Sequence, residues 1–144
     1  MSADLTWLLI RKNSSFIVKG HAEGPIFSKE PGNLVNLHSY KYSGIANAKT
    51  IHVEETPAGI QIVSRKPSTS THSVKAARHI TSIRRGSGSR RAAGIAAKNA
   101  RAGYRPDLRK AAIARVCALQ ASQKEKKPLP ERKLRGKKAL AASE

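Results

Sequence analysis

The sequence predicts an α+β protein, in which a small antiparallel β-rich N-terminal domain is followed by basic α-helices and an extended C-terminal tail. Short apolar runs separated by turn residues occupy positions 1–63, whereas alanine-rich segments with helical spacing come later. Charge divides the chain at the same place. Six cations and five anions give residues 1–63 a net charge of +1, and the remaining 22 cations and 4 anions give the rest +18. We therefore predict a β-rich module at 1–63, a basic loop and α-helical extension at 64–123, and a basic flexible tail at 124–144.

The first predicted elements are short strands. An apolar run at 5–10 is followed by the turn residues Asn, Ser and Ser at 13–15 and by a second apolar run at 16–18, which together predict a hairpin. Gly-Pro and Pro-Gly pairs then enclose residues 26–28, which we expect to form another short strand.

A second hairpin is predicted where apolar and polar residues alternate at 50–54 and again at 60–63, on either side of the turn sequence at 56–59. The apolar positions that a period of two puts on one face are Ile51, Val53, Ile60 and Ile62. A sheet or partly closed barrel of this size buries little apolar surface, so we expect it to pack against a partner or against a helix of the second portion.

The second portion is predicted to begin with an irregular loop at 64–73 and a short helix at 74–83. An alanine-rich helix follows at 90–102, and Gly103 can end it in a left-handed turn. Pro106 and Asp107 suit the first turn of a last helix, which runs to about residue 123. Its apolar stripe is Leu108, Ala112, Val116 and Leu119.

The composition excludes several classes of protein. A single cysteine, Cys117, rules out an intramolecular disulfide and a cysteine-based zinc site, and it is typical of a cytosolic or nuclear protein. No apolar run approaches the roughly 20 residues of a membrane helix, so no membrane partner is expected. The five histidines lack metal-ligand spacing, and we find no catalytic constellation. We therefore expect no enzyme activity, metal, cofactor or small-molecule substrate.

A net charge of +19 and a pI near 10.9 indicate a polyanionic partner, and nucleic acid is the favoured one. RNA is preferred over DNA because no zinc finger, leucine zipper or clear homeodomain pattern is present, although a chromatin-binding module stays an alternative. The alternative for the basic helices is that Ala, Lys and Arg occur there only because they favour a helix with a solvent-exposed face. Tyr40 and Tyr42 either stack on bases or lie at a sheet edge. The predicted RNA contacts are Arg78, Arg84, Arg85, Arg90, Arg91, Lys98, Arg101, Tyr104, Arg105, Arg109, Lys110 and Arg115.

Several strings also carry a family resemblance. They are Trp7, Asn-Ser-Ser-Phe at 13–16, Glu-Pro-Gly-Asn-Leu at 30–34, Ser-Tyr-Lys-Tyr-Ser-Gly at 39–44, and Tyr-Arg-Pro-Asp-Leu-Arg-Lys-Ala-Ala-Ile at 104–113. In this order they closely resemble the eukaryotic large-subunit ribosomal protein twenty-eight family, from about residue 2 to residue 122. The string that starts at Tyr104 is the most specific.

The resemblance implies a structural protein of the cytosolic 60S subunit that binds large-subunit rRNA, lies beside neighbouring ribosomal proteins, supports translation and has no enzymatic activity. It implies a cytoplasmic, ribosomal location, with transit through the nucleus and nucleolus for assembly. A nucleolar ribosome-assembly factor that binds pre-rRNA is the alternative, since such factors carry a similar domain. Those factors are longer, with acidic stretches and several cysteines near the start, and this chain has one cysteine and no acidic block.

Overall fold

The computed structural model describes residues 2–20, 22–70, 72–101, 103–125 and 128–130. The helices within them are α1 (Ala3–Ile10), α2 (Ser89–Arg101) and α3 (Arg109–Gln123), with a short 3-10 helix at Pro106–Leu108. The strands are β1 (Ile17–Val18), β2 (Phe27–Ser28), β3 (Ile51–Thr56), β4 (Gly59–Arg65) and β5 (Arg78–Arg84). Antiparallel strands together with three helices confirm the α+β prediction, while most of the predicted tail at 124–144 lies outside the described residues.

The main sheet has three antiparallel strands in the order β3–β4–β5. The predicted hairpin is confirmed, because β3 pairs with β4 across a tight turn that joins Thr56 to Gly59. The four residues expected on one face are all buried, with Ile51, Val53, Ile60 and Ile62 each no more than 2% exposed. This inner face meets α3, which packs against β3 and β4, and the alternate side chains lie on the outer face.

The predicted helix at 74–83 is wrong, because Arg78–Arg84 forms the edge strand β5. Ile83 pairs with Ile60 of β4 and is 3% exposed, so it completes the apolar inner face. The segment contains the β-branched residues Ile80, Thr81 and Ile83, which suit a pleated surface. Pairing with the open edge of β4 outweighed the weak helical pattern of this segment.

The predicted strand at 5–10 is also wrong, since these residues form α1. The Ser2 hydroxyl caps the helix by accepting a hydrogen bond from the Leu5 N–H at 3.2 Å. The helix is held by contacts with residues far along the chain. The Trp7 ring lies 5.0 Å from the His38 ring, centroid to centroid, and the Tyr40 hydroxyl donates to Asp4 Oδ1 at 2.8 Å. A short apolar run suits either a helix or a strand, and these contacts decide for the helix.

A second, two-stranded sheet joins β1 to β2, with Ile17 opposite Ser28 and Val18 opposite Phe27. The strands expected at 16–18 and 26–28 are therefore confirmed in part. The partner of the first one was predicted wrongly, because residues 5–10 are helical.

The predicted helices α2 and α3 are confirmed. Gly103 follows α2 with φ of 71°, a conformation that glycine adopts without strain. Three residues of the predicted stripe, Leu108, Ala112 and Val116, are no more than 3% exposed, and Leu119 is partly buried.

The hydrophobic core spans both predicted portions of the chain. Ile51, Ile62 and Leu34 share one cluster with Ala96 and Val116. The boundary predicted after residue 63 falls inside β4, and β5 belongs to the predicted extension. The expectation that the β-rich part packs against a helix of the second portion is confirmed, and the division at residue 63 stays a prediction.

A buried polar network holds the irregular segment between β2 and β3. The Glu30 carboxylate, 5% exposed, accepts hydrogen bonds from Asn33 Nδ2 at 3.1 Å and from the Ser43 hydroxyl at 3.0 Å. Asn33 Nδ2 also donates to the Leu37 carbonyl at 2.8 Å, and the Ser43 hydroxyl accepts from the Ala46 N–H at 3.2 Å. These side chains therefore supplement the little backbone pairing that this segment makes, such as the bridge between Leu37 and Phe27.

Candidate nucleic-acid interface

The helical part of the candidate surface is an antiparallel pair. Gln120 Nε2 near the end of α3 donates to the carbonyl of Ser87, just before α2, at 2.9 Å, so the end of α3 lies beside the start of α2. The two helices approach closely through small residues, since Ala92, Ala96 and Ala112 are at most 1% exposed. The cations expected on these helices are on their solvent side: Arg90, Arg91, Lys98, Arg109 and Lys110 are exposed, and Arg115 is half-buried.

Three further predicted contacts belong to the strand side. Arg78 and Arg84 are both exposed and lie on the outer face of β5, since they alternate with the inward-facing Ile83. Arg85 is exposed in the turn that follows. Arg84 and Arg85 line a depression together with Lys124 at the end of α3, which places three cations at one end of the helix pair. Of Arg101, only its place at the end of α2 is described.

Tyr104, predicted to contact RNA, has its hydroxyl committed within the chain. The hydroxyl oxygen accepts a hydrogen bond from the Thr50 N–H at 2.9 Å. The hydroxyl group donates to the carbonyl of Arg65, and the Thr50 carbonyl oxygen lies 3.1 Å from the same hydroxyl oxygen. Burial of the phenol raises the pKa of Tyr104. Lys49 Nζ lies 5.9 Å from the ring centroid. Tyr104 thus closes the open end of the β3–β4 hairpin.

Replacing Tyr104 with phenylalanine is expected to lower the free energy of unfolding by about 1–3 kcal/mol, because the half-buried backbone groups at Thr50 and Arg65 lose their partner. Urea unfolding measures this change. The salt dependence of RNA binding should stay as in the wild type. A variant of unchanged stability with weaker RNA binding would show instead that the hydroxyl serves the RNA.

Arg105, another predicted contact, also has its guanidinium bound within the chain. It forms a bidentate pair with Asp107, with Nε–Oδ1 at 2.8 Å and Nη2–Oδ2 at 2.7 Å. It also donates to the carbonyls of Lys49 at 3.0 Å and Lys41 at 2.8 Å. The hydrogen bonds between the two side chains raise the pKa of Arg105 and lower the pKa of Asp107. The guanidinium therefore links the segment before α3 to the loop before β3, and its phosphate contact stays a prediction.

Tyr40 and Tyr42, for which stacking on bases was one alternative, have contacts inside the protein. Tyr40 packs 5.9 Å from Trp7 and donates to Asp4, while Tyr42 packs against the hydrophobic core. Both residues lie in turns, so the sheet-edge alternative is wrong, and stacking on bases stays a prediction.

Sequence reasoning did not single out the outer face of β3 and β4 as a candidate binding surface. His52, Val63 and Arg65 lie there, and all three line a cavity that Arg78 of β5 also borders. The signal was present, because His52 alternates with Ile51 and Val53, and Val63 and Arg65 alternate with Ile62. The sequence did not predict the pairing of β4 with β5, which brings Arg78 opposite Arg65.

No group of three or more potential metal ligands occurs in the part of the chain that the structure describes. None of the helices among the described residues is long and apolar enough to cross a membrane.

Residues 5–122 match the Ribosomal L28e protein family. The large ribosomal subunit protein eL28 of Schizosaccharomyces pombe is 34% identical over 130 residues, which cover 88% of this chain and 96% of that protein. The protein of the same name from Dictyostelium discoideum is 32% identical over 135 residues, covering 92% of this chain and 97% of that protein. A third, from Caenorhabditis elegans, is 42% identical over 66 residues, covering 46% and 52% respectively.

Proposed function

This chain belongs to the Ribosomal L28e protein family, and we propose that it is a structural constituent of the cytosolic large ribosomal subunit that binds and stabilises rRNA through contacts of Arg and Lys with phosphate. Membership of a ribosomal protein family confirms the prediction that the protein is not an enzyme. The single observation that carries the proposal beyond the family is the set of exposed cations on α2, α3 and β5.

The arrangement of these cations favours phosphate binding over base reading. Arg90 and Arg91 lie at one end of the helix pair, and Lys98, Arg109 and Lys110 lie towards the other end. Exposed cations spread over two helices and a strand match several phosphates at once, and each contact releases condensed counterions. Phosphate contacts fix position and orientation, so the protein holds rRNA segments together mainly by charge and shape.

Neighbouring ribosomal proteins are the second class of partner that we propose. Support comes from the near-neutral N-terminal part, where Leu5, Leu8 and Leu9 on one side of α1 are 47%, 58% and 64% exposed. Apolar side chains cannot hold phosphate, and grouped on a surface they are typical of protein contacts. This side of the molecule is therefore assigned to protein, and the cationic side to rRNA.

Sedimentation of cell extracts tests the proposal against its alternative, a nucleolar assembly factor that binds pre-rRNA. A structural constituent is expected in mature large subunits and polysomes. It should stay there after a high-salt wash because contacts with neighbouring proteins act together with the phosphate contacts, which salt weakens. If the protein passes through the nucleolus during assembly, a minor fraction of it should sediment with nuclear precursors of the large subunit. Confinement to those precursors would contradict the proposal and favour the assembly factor. Recovery with DNA after ribonuclease treatment would favour a chromatin-binding module.

A further inference from the structure

We propose that the cavity on the outer face of the three-stranded sheet binds one unpaired nucleotide of RNA, with the base against His52 and Glu54 and the phosphate on Arg78. This inference rests on the proposed function, because it assigns a subsite for RNA in the same protein. The cavity has a volume of ≈ 270 Å³. That is just below the range of about 300–1,000 Å³ typical of small-ligand pockets, which suits one nucleotide and is too small for a duplex.

The polar wall of the cavity carries a hydrogen-bond donor beside an acceptor. His52 Nδ1 accepts from the Gly32 N–H at 3.2 Å, so the neutral ring carries its proton on Nε2. Burial lowers the pKa of His52, which keeps the ring neutral at physiological pH. His52 Nε2 lies 3.8 Å from Glu54 Oε2, which is too long for a hydrogen bond. The Nε2–H and the carboxylate are therefore both able to bind a third group placed between them.

The edge of an unpaired base fits this pair of groups. The Watson–Crick edge of each RNA base places a donor next to an acceptor, and proteins read these edges where bases are unstacked and unpaired. In a duplex the same edge is occupied by the partner base. The geometry at His52 and Glu54 therefore selects an unpaired nucleotide, whereas the exposed cations of α2 and α3 bind paired and unpaired RNA alike.

The remaining walls suit the flat face of a base and its phosphate. Val63 and Ala77 line the cavity with apolar surface, and Val74 at its rim is 63% exposed. Apolar side chains pack against the faces of a splayed-out base. The exposed Arg78 lies directly opposite Arg65 in the strand register, and both border the cavity. A guanidinium at this position can bind phosphate through two hydrogen bonds.

Electrostatics around the cavity favour an anion. The positive charges of Arg115 and Arg78 contribute to the lowered pKa of His52, after burial as the first cause, while Glu54 acts in the opposite direction. Arg65 and Arg78 border the cavity itself, whereas Arg115 acts on His52 from α3 without lining the cavity. The Glu54 carboxylate can accept a hydrogen bond from the base. Its single negative charge does not cancel the attraction of the surrounding cations for phosphate.

The test compares two hairpin RNAs that differ by a single bulged nucleotide, with binding to the full chain measured by fluorescence anisotropy. The wild type should prefer the bulged hairpin. The key variant is His52→Asn, since the Asn side-chain oxygen can take the place of Nδ1 and keep the bond to Gly32 while the Nε2–H donor is lost. We expect His52→Asn to weaken binding of the bulged hairpin about tenfold, the loss typical of one hydrogen bond, and to leave the paired hairpin unchanged.

A second variant tests the site even if His52→Asn causes a folding defect. Glu54 is exposed, and Glu54→Ala should reduce the preference for the bulged hairpin, while the loss of a negative charge strengthens binding of the paired one. The matched control is Glu55→Ala, which makes the same change of charge on the neighbouring residue, outside the cavity lining. This control should raise the affinity for both hairpins equally and preserve the preference.

The outcomes separate this inference from the proposed function. Equal affinity of the wild type for both hairpins, or a preference that survives both His52→Asn and Glu54→Ala, overturns the nucleotide site while leaving phosphate binding intact. Weak binding of both hairpins that is insensitive to salt contradicts the proposed function itself.

Discussion

Replacing Arg90, Arg91, Lys98 and Arg109 together by alanine is expected to reduce the salt dependence of RNA binding by about three in the log–log slope. Each phosphate contact contributes about 0.7–0.9 to this slope through counterion release. All four side chains are exposed, so their loss changes the charge and leaves the core intact. Between about 50 and 200 mM salt the wild type should then lose about 50- to 150-fold more affinity than the variant. Anisotropy titrations with a fully paired hairpin RNA measure both slopes.

The matched control removes four cations from the other portion of the chain. Arg11, Lys12, Lys19 and Lys29 are exposed as well, so their replacement by alanine changes the net charge by the same amount. If the helices hold the RNA, this control variant keeps most of the wild-type slope. An equal decrease of the log–log slope in the two variants would show that the net charge acts without a defined surface. An unchanged slope in the helix variant would contradict the proposed surface.

Arg105 is left out of this set because of its contacts within the chain. Its guanidinium binds Asp107 and the carbonyls of Lys49 and Lys41, so an alanine at this position would disturb the fold and the binding surface together. Composition alone would have included it, since charge counts do not distinguish a cation bound within the protein from one that faces solvent.

Replacing Gly44 with alanine is expected to lower the free energy of unfolding by about 3 kcal/mol or more, the upper end of what overpacking costs. A Cβ at this position would lie 1.9 Å from the Pro31 carbonyl oxygen and 2.9 Å from the Gly32 Cα. Both neighbours are backbone atoms, so they cannot move aside as a side chain does. Pro31 and Gly32 follow the buried Glu30, and a shift there would break the polar network between Glu30 and Ser43. Urea unfolding and the thermal midpoint measure the loss.

The control for this prediction is Gly94→Ala in α2. Apart from its chain neighbours and the backbone of its own helix, nothing lies within 4 Å of the position that a Cβ at Gly94 would take. Because alanine also favours a helix, this variant should be as stable as the wild type or more stable by up to about 1 kcal/mol. A loss below about 1 kcal/mol for Gly44→Ala would show that the two glycine backbones do not approach each other as closely as the structure has them.

The strings that carried the family resemblance have structural roles in the fold. Glu30 and Asn33 of one string and Ser43 of the next form the buried polar network, and Gly32 and Gly44 meet backbone to backbone. Tyr104 closes the β3–β4 hairpin, and Arg105 holds the loop before it. The strings identified the family correctly, and the RNA contacts predicted for Tyr104 and Arg105 stay predictions.

The sequence by itself determined the β3–β4 hairpin, the apolar faces of that hairpin and of α3, and the concentration of charge after residue 63. These features depend on local periodicity and composition, which are properties of neighbouring residues along the chain. Only the tertiary structure decided that 3–10 is a helix and that 78–84 is a strand. The contact of Trp7 with His38 fixes the helix, and the pairing of Ile83 with Ile60 fixes the strand. Both contacts join residues that are distant in sequence. The same holds for the cavity at His52, since it exists only where β3, β4, β5 and the Pro31–Gly32 backbone meet.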